Sequence, residues 1–319
     1  MIIEMVKRII LKLFGRERIE FLRSKPFLAH GKYKKIIDEL EGYAQTIRKD
    51  YGNNAELSTL LARKFAHIID KGLHRKDVSQ GHSKAIAIEL EKNLKIIEEN
   101  SLDSYNSSDE SVLWAKEKLK LYKELQDFGS ITELMEISKK SSVSFESYME
   151  LIKARRSNRQ FIEKTVDQKI IEQIAETVNW ASSSCNKQPI KLFATNNPII
   201  AKKCLEQCKG GTGFSNYIPA FVAFAVDMRG YYLPDELYLP EIDASLGAQN
   251  FFVSASLFEL SVTGLSWALK DDLEERNLRN VLQIPSHYKI IFNSVIGYAE
   301  KEYVQPKRKS IKNTIQIIN

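Results

Sequence analysis

The placement of proline limits this chain more than any other feature. A proline inside a helix removes a backbone hydrogen bond and clashes with the preceding turn. The sequence has only Pro26 in its first 150 residues, against seven afterwards, at positions 189, 198, 219, 234, 240, 285 and 306. The first part is free to run as long helices and the second is not. With 319 residues, 43% of them hydrophobic, the chain can bury a large core and is long enough for two domains.

Residues 1–140 read as an all-α domain. Lys32–Arg48, Glu56–Leu73, Ser83–Glu99 and Ser108–Leu125 repeat apolar residues at three- and four-residue spacing. Between them stand GNNAELS, RKDVSQGHS and NSLDSYNSSDES, rich in turn residues and helix-capping oxygens. No internal repeat of fixed period is visible. His67, His74 and His82 are scattered, which suits surface or turn positions better than ligand pairs. The polar run SKKSSVS, Ser138–Ser144, reads as a linker.

The first 25 residues place Ile2, Ile3, Val6, Ile9, Ile10, Leu13 and Phe14 on one helical stripe, with Lys7, Arg8, Lys12 and Arg16 around the other side. Such a helix packs on neighbouring helices or makes peripheral contact with an anionic membrane. It lacks the continuous apolar stretch of a secretory signal, and no run approaches the length of a membrane span. The three cysteines, Cys185, Cys204 and Cys208, do not form a disulfide framework and suit a reducing, cytoplasmic setting. Cys204 and Cys208 stand one helical turn apart without a nearby histidine, so no metal site is expected. Charge is spread over both parts of a chain of net charge +6, which argues against a nucleic-acid partner.

Residues 145–315 have a mixed texture. Gln168–Trp180 reads as a helix capped by Thr165 or Asp167, and Ala244–Leu260 as a long apolar helix that stops at Gly264. Ile190–Thr195, Ala220–Asp227 and Tyr288–Ala299 are dense in β-formers. The order fits an α+β domain. Four stretches carry potential chemistry. RRSNRQF, Arg155–Phe161, puts three arginines at a helix exit, where guanidinium forks can grip a phosphate. SSSCNKQP, Ser182–Pro189, groups hydroxyls and amides in a turn before a strand. TGLSWA follows the long apolar stretch, and PKRKS supplies a second basic cluster near the C-terminus. Singly, each has an ordinary structural use.

In this order and spacing the four stretches resemble the FMN-dependent nitroreductase family, over about residues 145–315 and not before. The resemblance implies an antiparallel-rich sheet flanked by helices and an intertwined homodimer with FMN at the subunit interface. It assigns Arg155, Arg156, Ser157 and Arg159 to the FMN phosphate, ribityl chain and pyrimidine edge. Lys307 and Arg308 complete the phosphate clamp. Ser182, Ser183, Asn186 and Gln188 reach the ring from the other subunit, and Leu265, Ser266 and Trp267 line its N5 side. NAD(P)H is the implied electron donor, an electron-poor small molecule the acceptor, and no side chain acts as nucleophile. Similar extended proteins are associated with surface-polysaccharide biosynthesis.

The sequence departs from the family pattern in two places: SSSC replaces Pro-Ser before the asparagine, and Ile190 replaces an aromatic after Gln-Pro. These departures leave room for a rival, a cofactor-free binding or scaffold protein whose helical domain docks a partner or a membrane. Tyr231, Tyr232 and Tyr238 fall where family members build a substrate cover; they stack on a planar or sugar-like substrate or simply pack on their own domain.

Overall fold

A computed structural model describes residues 26–100, 109–131, 140–233, 236, 238–267, 270–301 and 304–318. The expected amphipathic helix at the N-terminus, the turn at 101–108 and the first residues of the expected linker lie outside the described residues. The chain divides into two compact units, 1–50 and 51–319. In the first, helix α1 (Pro26–Asp50) contains the expected Lys32–Arg48 segment. Pro26 is its first residue, where a missing N–H costs nothing, and Arg48 and Lys49 stand in the last turn, where the helix dipole favours cations.

The second unit begins with three helices, α2 (Ala55–Leu73), α3 (Lys84–Asn100) and α4 (Glu110–Phe128). Their ends follow the capping chemistry of the separators. The Asn54 side chain accepts the Leu57 N–H at 2.9 Å, Asp109 accepts that of Ser111 at 2.8 Å, and α4 stops at Gly129 with φ 71°. Leu57, Leu61 and Ile69 of α2 meet Leu90 and Ile97 of α3 and Val112 and Leu125 of α4 in one buried cluster. Each such side chain contributes about 1.5–3 kcal/mol through burial.

After residue 144 the elements are α5 (Phe145–Ala154), α6 (Gln168–Asn179), β1 (Ile190–Thr195), α7 (Pro198–Leu205), β2 (Ala220–Asp227), α8 (Leu239–Ser254), β3 (Leu260–Leu265), α9 (Asp272–Leu282) and β4 (Tyr288–Tyr298). The four strands form an antiparallel sheet in the order β1-β2-β4-β3. Strand β2 is buried along its whole length because both faces are covered. Phe221, Ala223 and Ala225 pack with Ala201, Cys204 and Leu205 of α7 and Leu278 of α9. Val222 and Phe224 pack with Ile171, Ile174 and Val178 of α6 and Ala248 and Phe251 of α8. This is a helix–sheet–helix arrangement, and the α+β expectation holds.

One expectation fails. The long helix expected over Ala244–Leu260, with its stop at Gly264, ends at Ser254; a 3-10 turn follows from Ala255 to Phe258. Glu259 then takes a left-handed conformation, φ 60°, and Leu260–Leu265 becomes β3, so Gly264 lies inside a strand opposite Ser294. Apolar residues continue at helical spacing through SASLF, but LSVTGL is rich in strand formers and completes the edge of β4. Sheet pairing, a long-range interaction, overrides local periodicity here. Helices α7 and α9 were not anticipated; α9 opens with a capping box between Asp271 and Glu274.

Candidate functional site

The arginine stretch leaves α5 at Arg155, whose backbone (φ −57°, ψ 130°) ends the helix. Its anchor is Asn158, which is buried. Asn158 Nδ2 donates to the Lys301 carbonyl at 3.0 Å, its Oδ1 accepts the Gln160 N–H at 2.9 Å, and its carbonyl accepts the Thr263 hydroxyl at 2.5 Å. Gln160–Ile162 then pairs with the end of β4, with Glu300 N–H to Gln160 O at 2.9 Å and Ile162 N–H to Tyr298 O at 3.1 Å. The backbone of the stretch is thus fixed from both sides, while its arginines stay half-buried or exposed.

Arg155 donates to Ser157 Oγ at 3.2 Å, and Arg156 to the carbonyls of Lys153 and Arg155 at 2.5 and 2.7 Å. The Arg159 guanidinium lies 5.8 Å from the centre of the Phe214 ring. Burial, and then the charges of Arg308 and Arg156, lower the Arg155 pKa from its ordinary value. Arg308 therefore comes back to Arg155 from the far end of the sequence. Lys307, next to it, is exposed. Among the described residues none of Arg155, Arg156, Arg159 and Arg308 pairs with a carboxylate. A cluster of guanidinium groups that no described carboxylate balances has the chemistry to bind an anion such as a phosphate.

The SSSCNKQP turn is shaped differently. Cys185, Asn186 and Gln188 all have left-handed backbones, with φ 52°, 53° and 49°. For non-glycine residues this costs about 1 kcal/mol or more apiece and persists only where surroundings hold it. Ser183 Oγ accepts the Gln188 N–H at 3.0 Å, and Gln188 Nε2 donates to Asn186 Oδ1 at 3.2 Å. The Asp243 carboxylate accepts both the N–H and the hydroxyl of Ser184 at 2.9–3.1 Å. Ser182 is exposed. At the end of β3, Leu265 and Trp267 are core side chains packed near Cys204 and Leu278, so only the backbone of that stretch and the exposed Ser266 are open to a ligand.

These stretches do not all meet in one chain. β1 begins at Ile190 opposite Val226, so Gln188 lies where β2 finishes. The pairing of Gln160–Ile162 with Tyr298–Glu300 lies beyond Ala220, where β2 begins opposite Ile296. At strand rise, the two ends are roughly 20 Å apart. Arg155, Arg156 and Arg308, with the first residues of β3, form one group, and Ser182, Ser183, Asn186 and Gln188 form another; Leu265, opposite Asn293 and so level with Ala223, lies between the two.

A third group was not anticipated. At the C-terminal end of β2, Asp227 and Glu56 of α2 share the guanidinium of the buried Arg229, whose Nη2 lies 2.6 Å from Asp227 Oδ2 and 2.7 Å from Glu56 Oε2. Tyr288 donates to Glu56 at 2.8 Å and His287 Nε2 stands 3.4 Å away. The His287 contact, with the Arg229 and Tyr288 bonds, outweighs burial and holds the Glu56 carboxyl well below the usual carboxylate range. Ligand atoms of Glu56, Asp227 and His287 lie within 4.8 Å of one another. Arg229 and Lys191, whose Nζ lies 3.4 Å from Glu56 Oε1, together balance the two carboxylates. The available signal was the charged run DMRG closing an otherwise apolar strand.

The tyrosine stretch is not a free cover. Tyr231 is buried and donates to Asp243 at 2.5 Å; burial, then this bond, raise its phenol far above the ordinary value. Tyr232 accepts from Lys64 of α2 at 3.0 Å, and only Tyr238 is largely exposed.

The Nitroreductase family model matches residues 152–216, the stretch containing both RRSNRQF and SSSCNKQP. No curated protein matches the chain. Solved structures with a similar backbone include an FMN-dependent nitroreductase from Clostridium difficile, with 20% identity over 54% of this chain and 99% of that one, TM-score 0.46. A nitroreductase with bound FMN from Bacteroides fragilis has 20% identity over 54% and 98%, TM-score 0.45. A nitroreductase-like protein from Streptococcus mutans has 15% identity over 55% and 100%, TM-score 0.48.

Proposed function

We propose that this chain is an FMN-dependent NAD(P)H oxidoreductase of nitroreductase type, with a flavin part over residues 145–315 and a helical part over 1–140. The observation that carries this reading is the group formed by Arg155, Arg156 and Arg308, cationic and, among the described residues, without a carboxylate, two of them inside the stretch that matches the family model. A flavin phosphate is a dianion that such a group fits, with Ser157 and Lys307 beside it. When bound, FMN supplies acceptance of hydride from a nicotinamide and its delivery to an electron-poor small molecule. The chain's own residues do the holding: Asn158 fixes the backbone that carries the arginines, and Arg159 stands against Phe214. Ser182, Ser183, Asn186 and Gln188 offer hydroxyls and amides suited to the polar edge of a ring.

Because those four residues sit at the far end of the sheet from the arginines, a site using both groups is built from two chains, and we propose a homodimer. The tail supports this. Val304, Ile311, Ile315, Ile317 and Ile318 are exposed in the single chain, a run of apolar surface suited to cover by a second copy. The free thiols suit a cytoplasmic setting.

Titration of the purified protein with FMN, followed by absorbance and flavin fluorescence, tests the reading. The expected result is a yellow complex whose affinity falls at least about a hundredfold in Arg155→Ala/Arg308→Ala, as loss of charge-assisted phosphate bonds predicts. Absence of FMN binding by the wild type overturns it and leaves the scaffold alternative.

A further inference from the structure

The SSSCNKQP turn carries three left-handed non-glycine residues, a conformation that persists only under outside constraint. The constraint is supplied by an unbroken polar chain that begins on α2. Lys187, within the turn, is completely buried; its Nζ donates to Glu236 Oε1 at 2.5 Å and lies 4.2 Å from the centre of the Tyr231 ring. Glu236 Oε1 also faces Lys64 Nζ of α2 at 3.9 Å, and its other oxygen accepts the Leu233 N–H at 3.2 Å. Lys64 donates to the Tyr232 hydroxyl at 3.0 Å and lies 4.2 Å from the centre of that ring. Tyr231 leads through Asp243 to the backbone and hydroxyl of Ser184.

The contact between α2 and this region is close as well as charged. A Cβ added at Gly230, in the segment after β2, would meet Leu60 Cδ2 of α2 at 2.8 Å, so any larger residue there would have to displace the Leu60 side chain. Two buried cations share one carboxylate here, so removing Glu236 leaves both without a counter-charge, while removing Lys64 takes one of the two cations that hold Glu236 and frees the Tyr232 hydroxyl.

We infer that helix α2 is a positioning device for the SSSCNKQP turn: Lys64 acts through Glu236 and Lys187 to hold Asn186 and Gln188 in the conformation in which they meet the cofactor. Lys64 and Glu236 touch no reacting atom in this scheme; they are positioning residues. The inference rests on the flavin reading for its consequence but on the polar chain for its geometry, and the two are tested separately.

The experiment compares wild type, Lys64→Met, Lys64→Arg and Glu236→Gln. Hydrogen exchange of the flavin-free protein reads the turn directly, at the Ser184 and Gln188 amides, against the β2 amides as an internal standard. Lys64→Met is expected to speed exchange of the turn at least tenfold while β2 stays protected, and to weaken FMN binding at least tenfold. Lys64→Arg restores both. Glu236→Gln, which keeps the side-chain shape, reproduces the Lys64→Met pattern and serves if that variant loses protection throughout. Wild-type exchange and wild-type FMN affinity in Lys64→Met and Glu236→Gln overturn the inference alone. Absence of FMN binding by the wild type removes the flavin reading and with it the proposed role of the turn, whatever the exchange result.

Discussion

Two sets of cations in this molecule are treated in opposite ways. Arg155, Arg156 and Arg308 approach one another with no carboxylate among the described residues to neutralise them. Arg229, Lys187 and Lys64 are each almost wholly buried and each faces a carboxylate: Asp227 and Glu56 for the first, Glu236 for the other two. Desolvation explains the difference. A cation taken out of water needs a built-in partner, whereas one that keeps partial access to solvent can wait for a partner to arrive. Paired cations therefore mark architecture, and the unpaired set is the one to which the proposal assigns an anionic ligand.

The largest effect that would break this contrast is expected at Arg229. Replacing it by methionine leaves Asp227 and Glu56 without their guanidinium, and a loss of about 3–5 kcal/mol of stability in urea unfolding is expected. A change below about 1 kcal/mol would show that the buried pair is not structural.

Glu56 gives a smaller, pH-dependent effect. Its folded pKa is depressed, so its contribution is fully present above the unfolded value, about 4.3, and is lost as pH falls toward the folded pKa. Because the Glu56 side chain is 44% exposed, the contribution is discounted for solvent screening to about 1 kcal/mol. Stability measured from pH 6 to pH 3 should fall less steeply in Glu56→Gln than in the wild type; parallel curves would remove Glu56 from the account.

Smaller still is the effect of Arg155→Ala/Arg308→Ala on the flavin-free protein. Loss of these unpaired charges should alter stability by no more than about 0.5 kcal/mol, in contrast with the large effect on FMN affinity that the proposal expects. A large destabilisation would mean that the arginines have a structural partner after all.

The thiols provide the finest probe, with no effect on stability. Cys204 and Cys208 are buried, which pushes both pKa values up to about 12, whereas Cys185 is exposed in the SSSCNKQP turn. A thiol reagent at neutral pH should modify Cys185 alone in the native protein, and all three only on unfolding. Modification of Cys204 in the native state would contradict the packing of α7 on the sheet.

Much of the fold was legible. Helices α2, α3, α4 and α6 and strands β1, β2 and β4 declare themselves through periodicity, and Asn54, Asp109 and Asp167 cap where local hydrogen bonding favours caps. Strand β3 was not legible, because Leu260–Leu265 continues an apolar run whose helical or extended state depends on the open edge of β4. The site divides in the same way. The arginines and the hydroxyl-rich turn could be named from residue type, while nothing local in the sequence singles out Glu56, Lys64 or Glu236.

By itself, the sequence determined the state of α2, α3, α4, α6, β1, β2 and β4 through local periodicity, capping and proline placement, and which residues have the chemistry to hold a phosphate. Those are properties of neighbours along the chain. The tertiary structure alone decided that Arg308 returns to Arg155, that the SSSCNKQP turn lies at the other end of the sheet, and that Lys187 is buried against Glu236. Pairing and burial depend on contacts between residues far apart in sequence, and whether a charge is solvated or desolvated is set only once those contacts form.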